Sequence, residues 1–397
     1  MAFPIMLRLM ILTQLLLLTT ASTAQLADEE VPLVALRYST VVGSGSNGID
    51  SFRGIPFAKP PIGSLRLKPP QPITSAFGYV QATTTPKACP QFSSQYIPGS
   101  LPPEILDVIT DITNVVQNQA EDCLTLNVQR PSDASIGSKL PVVFFIYGGA
   151  FESGSTQGVD ATNLIKASIA SRRPIVLVAA NYRLGGFGFL AGKELLGDGS
   201  TNLGLLDQRL ALQWVADNIE QFGGDPDKVT LWGFSAGSIS VFDQMALFGG
   251  NITYRQKPLF RAALMESGSI IPTEPANSTK AQIVYDKVVD SAGCSTSNNT
   301  LACLRSIDFD TFLLATASVP IASSYNSIAL SYLPRPDGVV LPDSPEVLAS
   351  KGQFAKVPLL VGDQEDEGTV FSIFQLNLTS PRPGRNLPRH ILSWFAI

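Results

Sequence analysis

The sequence predicts an α/β fold, a mostly parallel central sheet with helices on both faces. Three observations predict it. Apolar, β-branched segments recur at Val142–Tyr147, Val176–Asn181, Val229–Phe234, Ala262–Met265 and Val357–Gly362, and short apolar runs of this kind suit strands buried on both faces. Amphipathic stretches such as Leu205–Ile219 (LLDQRLALQWVADNI) lie between them, and strands alternating with helices call for parallel pairing through crossovers. The third strand-like segment runs directly into Gly233-Phe234-Ser235-Ala236-Gly237, a G-x-S-x-G pentapeptide that suits a tight strand-to-helix turn.

Length and composition agree with this class. The chain has 397 residues, 45% of them hydrophobic and 15% charged, enough for one large core in a single domain. Its net charge is −5, and its 28 basic residues form no basic block, which argues against nucleic acid or an anionic membrane surface as partner. No internal repeat or heptad run is evident. Pro/Gly-rich stretches at 54–72 and 380–388 read as loops.

The first element is an expected secretory signal at residues 1–24. Arg8 gives a thin positive start, Leu9–Leu18 an apolar centre, and Ser22-Thr23-Ala24 a small-residue cleavage site before Gln25. The apolar run is too short for a membrane anchor, since a spanning helix needs about 20 residues. Secretion gives meaning to Cys89, Cys123, Cys294 and Cys303, an even set for which three pairings exist. The sequons at Asn251, Asn277, Asn298 and Asn377 suit an extracellular glycoprotein.

Between Cys89 and Cys123, the stretch Glu104–Gln117 places Ile105, Val108, Ile109, Ile112, Val115 and Val116 on one helical face. Such a helix either packs on the core or serves as a lid whose apolar face makes transient contact with a lipid interface.

The candidate chemistry centres on Ser235. A strand that must reverse into a helix at this point holds the serine in a strained conformation with its hydroxyl exposed. Gly233 and Gly237 lack the Cβ that would keep strand and helix apart. Ala236 offers its backbone N–H at the helix start, where unpaired donors and the dipole favour a developing oxyanion. A second donor group is expected after Val142–Tyr147, where Gly148-Gly149-Ala150-Phe151 follows the strand. Losing one preorganised oxyanion donor typically costs about 10²–10³ in rate.

In these blocks the chain resembles the type-B carboxylesterases and lipases, the family that includes the cholinesterases, with the secreted fungal lipases as its nearest branch. Residues 222–237 (FGGDPDKVTLWGFSAG) fit the family's serine signature, and 121–128 (EDCLTLNV) fit its second signature. Further matching blocks are 53–58 (RGIPFA), 181–184 (NYRL) and 207–212 (DQRLAL), and the likeness runs from about Val31 to Thr379. The resemblance implies an α/β-hydrolase fold over 25–379, disulfides Cys89–Cys123 and Cys294–Cys303, and oxyanion donors from Gly149, Ala150 and Ala236. Ala150 stands where the family usually has a third glycine, and Phe234 where many members have Glu.

A serine nucleophile needs a histidine to take its proton and a carboxylate to orient that histidine. Asp363, Glu365, Asp366 and Glu367 follow the last strand-like segment, and 365–369 (EDEGT) matches the family's acid motif, mapping the triad acid onto Glu367. The only histidine, His390, follows Glu367 by 390 − 367 = 23 residues, behind the proline-rich stretch SPRPGRNLPR. That stretch cannot supply a central strand. The catalytic histidine is therefore expected in sequence this chain does not contain, with 380–397 a non-family tail and the C-terminal strand and helices missing. Val357–Gly362 is then expected to be an unpaired apolar edge.

The sequence thus points to a secreted, cofactor-free and metal-free serine hydrolase acting on small-molecule or lipid esters. A non-catalytic extracellular binding protein on the same scaffold is the alternative. A serine peptidase is a third reading, for which no peptide-recognition feature is present.

Overall fold

A computed structural model describes residues 31–91, 118–320 and 330–368. The expected signal, the helix at 104–117, Asn377, His390 and the tail all lie outside these residues. An eight-stranded sheet organises the described chain. Its strands are β1 (Ser44–Ser46), β2 (Ile49–Pro56), β3 (Thr125–Pro131), β4 (Leu140–Ile146), β5 (Val176–Ala180), β6 (Gly224–Phe234), β7 (Ala262–Glu266) and β8 (Leu359–Gly362). They lie in the order β1-β2-β3-β5-β4-β6-β7-β8. From β5 to β8 all neighbours are parallel, whereas β3, β2 and β1 extend the sheet antiparallel.

Alternation along the central strands explains the layers. Val142, Phe144 and Ile146 of β4 and Val176, Val178 and Ala180 of β5 face the main core. Leu177 and Ala179 face a second cluster, with Val143 and Phe145 against it. The helices are α1 (Thr162–Ala170), α2 (Gly185–Phe189), α3 (Lys193–Asp198), α4 (Leu203–Asn218), α5 (Ala236–Gly250), α6 (Thr279–Ser291), α7 (Thr300–Ser306), α8 (Phe309–Thr316) and α9 (Pro345–Ser350). Ile165 of α1 seals the second cluster, while Leu212 and Val215 of α4 and Val241 and Met245 of α5 belong to the main core. Both sheet faces are therefore covered, as a largely parallel sheet requires.

The five expected strands are all present, in the parallel block, with shifted ends. β6 starts five residues before Val229, at Gly224 (229 − 224 = 5), and runs through Pro226. The ladder to β4 jumps there from Leu140↔Gly224 to Val142↔Val229, so the proline sits in an irregular stretch where its missing N–H breaks no regular ladder. The antiparallel strands β2 and β3 carry polar residues with dedicated partners and do not read as apolar runs. Asn127 of β3, for example, accepts from Gly54 N (2.9 Å) and donates to Thr156 O (3.1 Å).

Both disulfides implied by the resemblance are formed, Cys89–Cys123 and Cys294–Cys303. The second fastens the turn after α6 to α7. Arg183 and Asp207, from two of the matching blocks, form a buried two-pronged ion pair that binds the segment after β5 to α4, with both N–O contacts at 2.8 Å. Among the described residues no helix is long and apolar enough to cross a membrane.

Candidate active site

Ser235 stands between the end of β6 and the first residue of α5, with φ 55° and ψ −124°. A non-glycine residue there carries strain of roughly 1–3 kcal/mol, held by its surroundings. Two hydrogen bonds fix it. Ser235 N donates to Glu266 O of β7 (2.8 Å), and Ile239 N of α5 donates to Ser235 O (3.0 Å). The flanking glycines are required by contact. A Cβ on Gly233 would lie 2.1 Å from Gly237 O, one on Gly237 would lie 2.0 Å from Ile146 O, and one on Gly268 would lie 2.6 Å from Ser235 O. The residue is half-buried, so its hydroxyl is sheltered yet reachable. Ser238 Oγ donates to Gly268 O and closes the same corner.

The loop after β4 lies against this elbow. A Cβ on Gly148 would meet Phe234 O at 2.6 Å and Ser235 Cβ at 2.8 Å. Gly149, Ala150 and Phe151 follow with φ of 114°, 56° and 62°, which turns the loop sharply. Gly149 O collects Glu152 N (3.0 Å), Ser153 N (2.9 Å) and Ser153 Oγ (3.2 Å). No described backbone oxygen accepts from Gly149 N or Ala150 N. The arrangement thus juxtaposes a strained serine, a helix N-terminus at Ala236 and a loop whose Gly149 and Ala150 N–H groups have no backbone acceptor among the described residues, the kind of donor set that can stabilise negative charge on an oxygen.

Residues not singled out from sequence hold this loop. Tyr147 and Tyr182 stack with ring centroids 4.6 Å apart. Tyr182 Oη donates to Tyr147 O (2.9 Å) and Tyr182 N donates to Tyr147 Oη (3.2 Å). Burial pushes both phenols well above their usual value, so they stay neutral struts. Farther along, Thr156 N donates to Asn181 Oδ1 (3.0 Å), while Asn181 Nδ2 donates to Lys87 O (2.9 Å). Asn127, Asn181 and Tyr182 lie inside the matching blocks, which was their only sequence signal.

The acid candidates follow β8, two strands from β6 at the same end of the sheet. Glu367 is half-buried, and its carboxylate accepts from Gln364 N (2.7 Å), bracing its own loop. Asp363, Glu365 and Asp366 are exposed. The described residues include no histidine. Phe234 is 46% exposed beside Ser235. Among the described residues no group of three His, Cys, Asp or Glu side chains is placed to hold a metal ion.

A covered, largely parallel sheet with a serine on a glycine-flanked elbow defines an α/β-hydrolase. The model of the carboxylesterase family matches residues 30–384. Secreted lipase 1 of Botryotinia fuckeliana is 54% identical over 367 residues, covering 89% of this chain and 64% of its own. Secreted triacylglycerol lipase LIP1 of Gibberella zeae is 54% identical over 353 residues, covering 87% and 59%. Among solved structures, Aspergillus niger EstA superposes with a TM-score of 0.72 at 34% identity, covering 86% of this chain and 61% of that one. A PNB esterase gives 0.68 at 34% identity, with coverage of 85% and 64%. The chain belongs to the carboxylesterase family. It spans less than two thirds of the length of these relatives.

Proposed function

We propose that this protein is a secreted serine hydrolase of carboxylic esters, lipid esters among them, working through an acyl-Ser235 intermediate. The observation that carries the proposal is the strained Ser235 held against the Gly148–Ala150 loop. In this scheme Ser235 Oγ attacks the ester carbonyl carbon, and Gly149, Ala150 and Ala236 N–H groups receive the oxyanion. The alcohol leaves with a proton, and water then hydrolyses the acyl-serine.

Glu367 is assigned as the acid that orients a histidine. The base itself is assigned to no residue of this chain, because His390 follows Glu367 behind a proline-rich stretch. Removing the base of such a triad can cost about 10⁶ in turnover. The 397-residue chain alone is therefore expected to hydrolyse esters only residually. The names of the two fungal lipases above, both called secreted, support a lipid ester as substrate and an extracellular site of action. So do the expected leader, the paired cysteines and the exposed Asn251, Asn277 and Asn298 as glycan sites.

The test is covalent labelling by a fluorophosphonate, read by peptide mass, alongside turnover of p-nitrophenyl esters. An adduct confined to the peptide bearing Ser235, lost in Ser235→Ala, is expected. An adduct elsewhere, or neither adduct nor turnover after long incubation, overturns the assignment and leaves a non-catalytic binding protein. Turnover at the level of ordinary esterases, abolished by His390→Ala, overturns the statement about the base.

A further inference from the structure

Gln91 is 6% exposed and makes no contact with Ser235 in any hydrogen bond, yet it grips the far end of the oxyanion loop. Gly154 N donates to its Oε1 and its Nε2 donates to Gly154 O, both at 2.9 Å. The primary amide therefore pairs with one glycine through donor and acceptor at once, as a neighbouring strand would. The same Nε2 also donates to Cys89 O (3.0 Å). Gln91 N donates to Gln119 Oε1 (3.0 Å). Around it Ala120 N donates to Ala88 O (3.0 Å) and Cys89 is bonded to Cys123. The clamp is thus anchored in a cross-linked stem, and its free end holds Gly154.

Gly154 cannot move without Gly149. With φ of 109°, its position would bring a Cβ to 2.5 Å from Gly148 O and 2.6 Å from the Tyr147 ring. A Cβ on Gly149 would in turn meet Ser153 O at 2.2 Å. Residues 148–149 and 153–154 therefore lie in backbone contact, and the loop is a closed ring with the Ala150 and Phe151 turn at its tip. Displacing Gly154 displaces the Gly148–Ala150 segment, which packs on Ser235 through Gly148.

We propose that Gln91 is a positioning residue, transmitting the geometry of the Cys89–Cys123 stem to the oxyanion donors Gly149 and Ala150. This rests on the ester-hydrolase reading for its effect on rate, but the clamp itself is a statement about the loop. A neutral amide is required. Glutamate in its place would keep the acceptor for Gly154 N and lose the donor to Gly154 O and Cys89 O, leaving carboxylate facing carbonyl.

The experiment compares wild type, Gln91→Ala and Gln157→Ala in the 397-residue chain. Gln157 Nε2 donates to Pro86 O (2.8 Å), a stitch between the same two segments beyond the ring. Gln91→Ala is expected to lower kcat by about tenfold to a hundredfold with KM within about twofold, because small misplacements of catalytic donors cost rate rather than binding. Amide exchange in 149–154 is expected to accelerate by at least about tenfold while that of Val142–Phe145 stays fixed. Gln157→Ala is expected to change neither. Unaltered exchange at 149–154 in Gln91→Ala, equal acceleration in the central strands, or an equal effect of Gln157→Ala overturns the proposal. If wild type neither hydrolyses an ester nor takes the phosphonate on Ser235, the function proposed above fails, and the exchange comparison still decides the clamp.

Discussion

Asp243 lies wholly inside the protein on α5, and neither of its carboxylate oxygens has a hydrogen-bond partner among the described residues. Burial pushes its carboxyl up to about 8. It occupies the last regular turn of the helix, since Leu247, Phe248 and Gly249 leave helical angles, and the negative end of the helix dipole disfavours charge there as well. The guanidinium of Arg209 on α4 is committed to Gln244 Oε1, Gln244 O and Asn251 O. Asp243 is consequently held neutral at pH 7, and the sign of its linkage follows. Its folded value exceeds its unfolded value of about 3.9. Between roughly pH 4 and pH 8 the folded state keeps a proton that the unfolded chain has released, so this stability is complete below pH 4 and is lost as pH rises through 8. Asp243→Asn removes the titration. Its stability is expected to match wild type near pH 4.5 and to exceed it increasingly towards pH 8, by up to about 1.4 kcal/mol per pH unit, read as a widening gap in Tm. Parallel Tm curves across that range would show that Asp243 has a partner in solution.

At the scale of elements, the β6–α5 reversal sets the terms of the site, and glycine-to-alanine has opposite signs at its Gly237 and at Gly197 of α3. Alanine is a better helix former than glycine by about 1 kcal/mol. At Gly197 of α3 an added Cβ meets nothing within 4 Å, so Gly197→Ala is expected to raise stability by about 0.5–1 kcal/mol. At Gly237 the same methyl would lie 2.0 Å from Ile146 O, and backbone cannot yield as a side-chain tip can. Gly237→Ala is expected to lose about 1–3 kcal/mol through overpacking and to slow phosphonate labelling of Ser235. Denaturant unfolding of both variants checks the pair, and a stabilised Gly237→Ala would remove the contact argument. This reversal was legible in sequence because a close approach leaves glycines at fixed offsets. The parallel strands were legible for a similar reason, since β5 is buried at all five positions and every residue is apolar. β2 and β3 were not, because Asn127, Gln129 and Arg130 are buried with partners distant in sequence. Gln91 was invisible on the same ground, since its meaning depends on Gly154, 63 residues away.

At the scale of the whole molecule, the described sheet is covered on its faces and exposed along β8. β5 to β6 sit between two covered faces, whereas every residue of β8 is exposed, with Leu359 at 44%, Leu360 at 63% and Val361 at 46%. Among the described residues β8 pairs with β7 alone, which leaves its outer row of N–H and C=O groups as an edge that another strand could pair with. Exposed apolar edges of this kind template association between chains. The 397-residue chain is therefore expected to self-associate with rising concentration while keeping its core, a behaviour that sedimentation velocity separates from unfolding. Leu360→Lys places a charge on the most exposed apolar position of the edge and is expected to shift the distribution towards monomer. The cost in stability should be small, within about 0.5 kcal/mol, because so little surface is buried there. A wild-type chain that stays monomeric over the concentration range, or a Leu360→Lys chain that associates as strongly, would mean that β8 is covered by other parts of the same molecule.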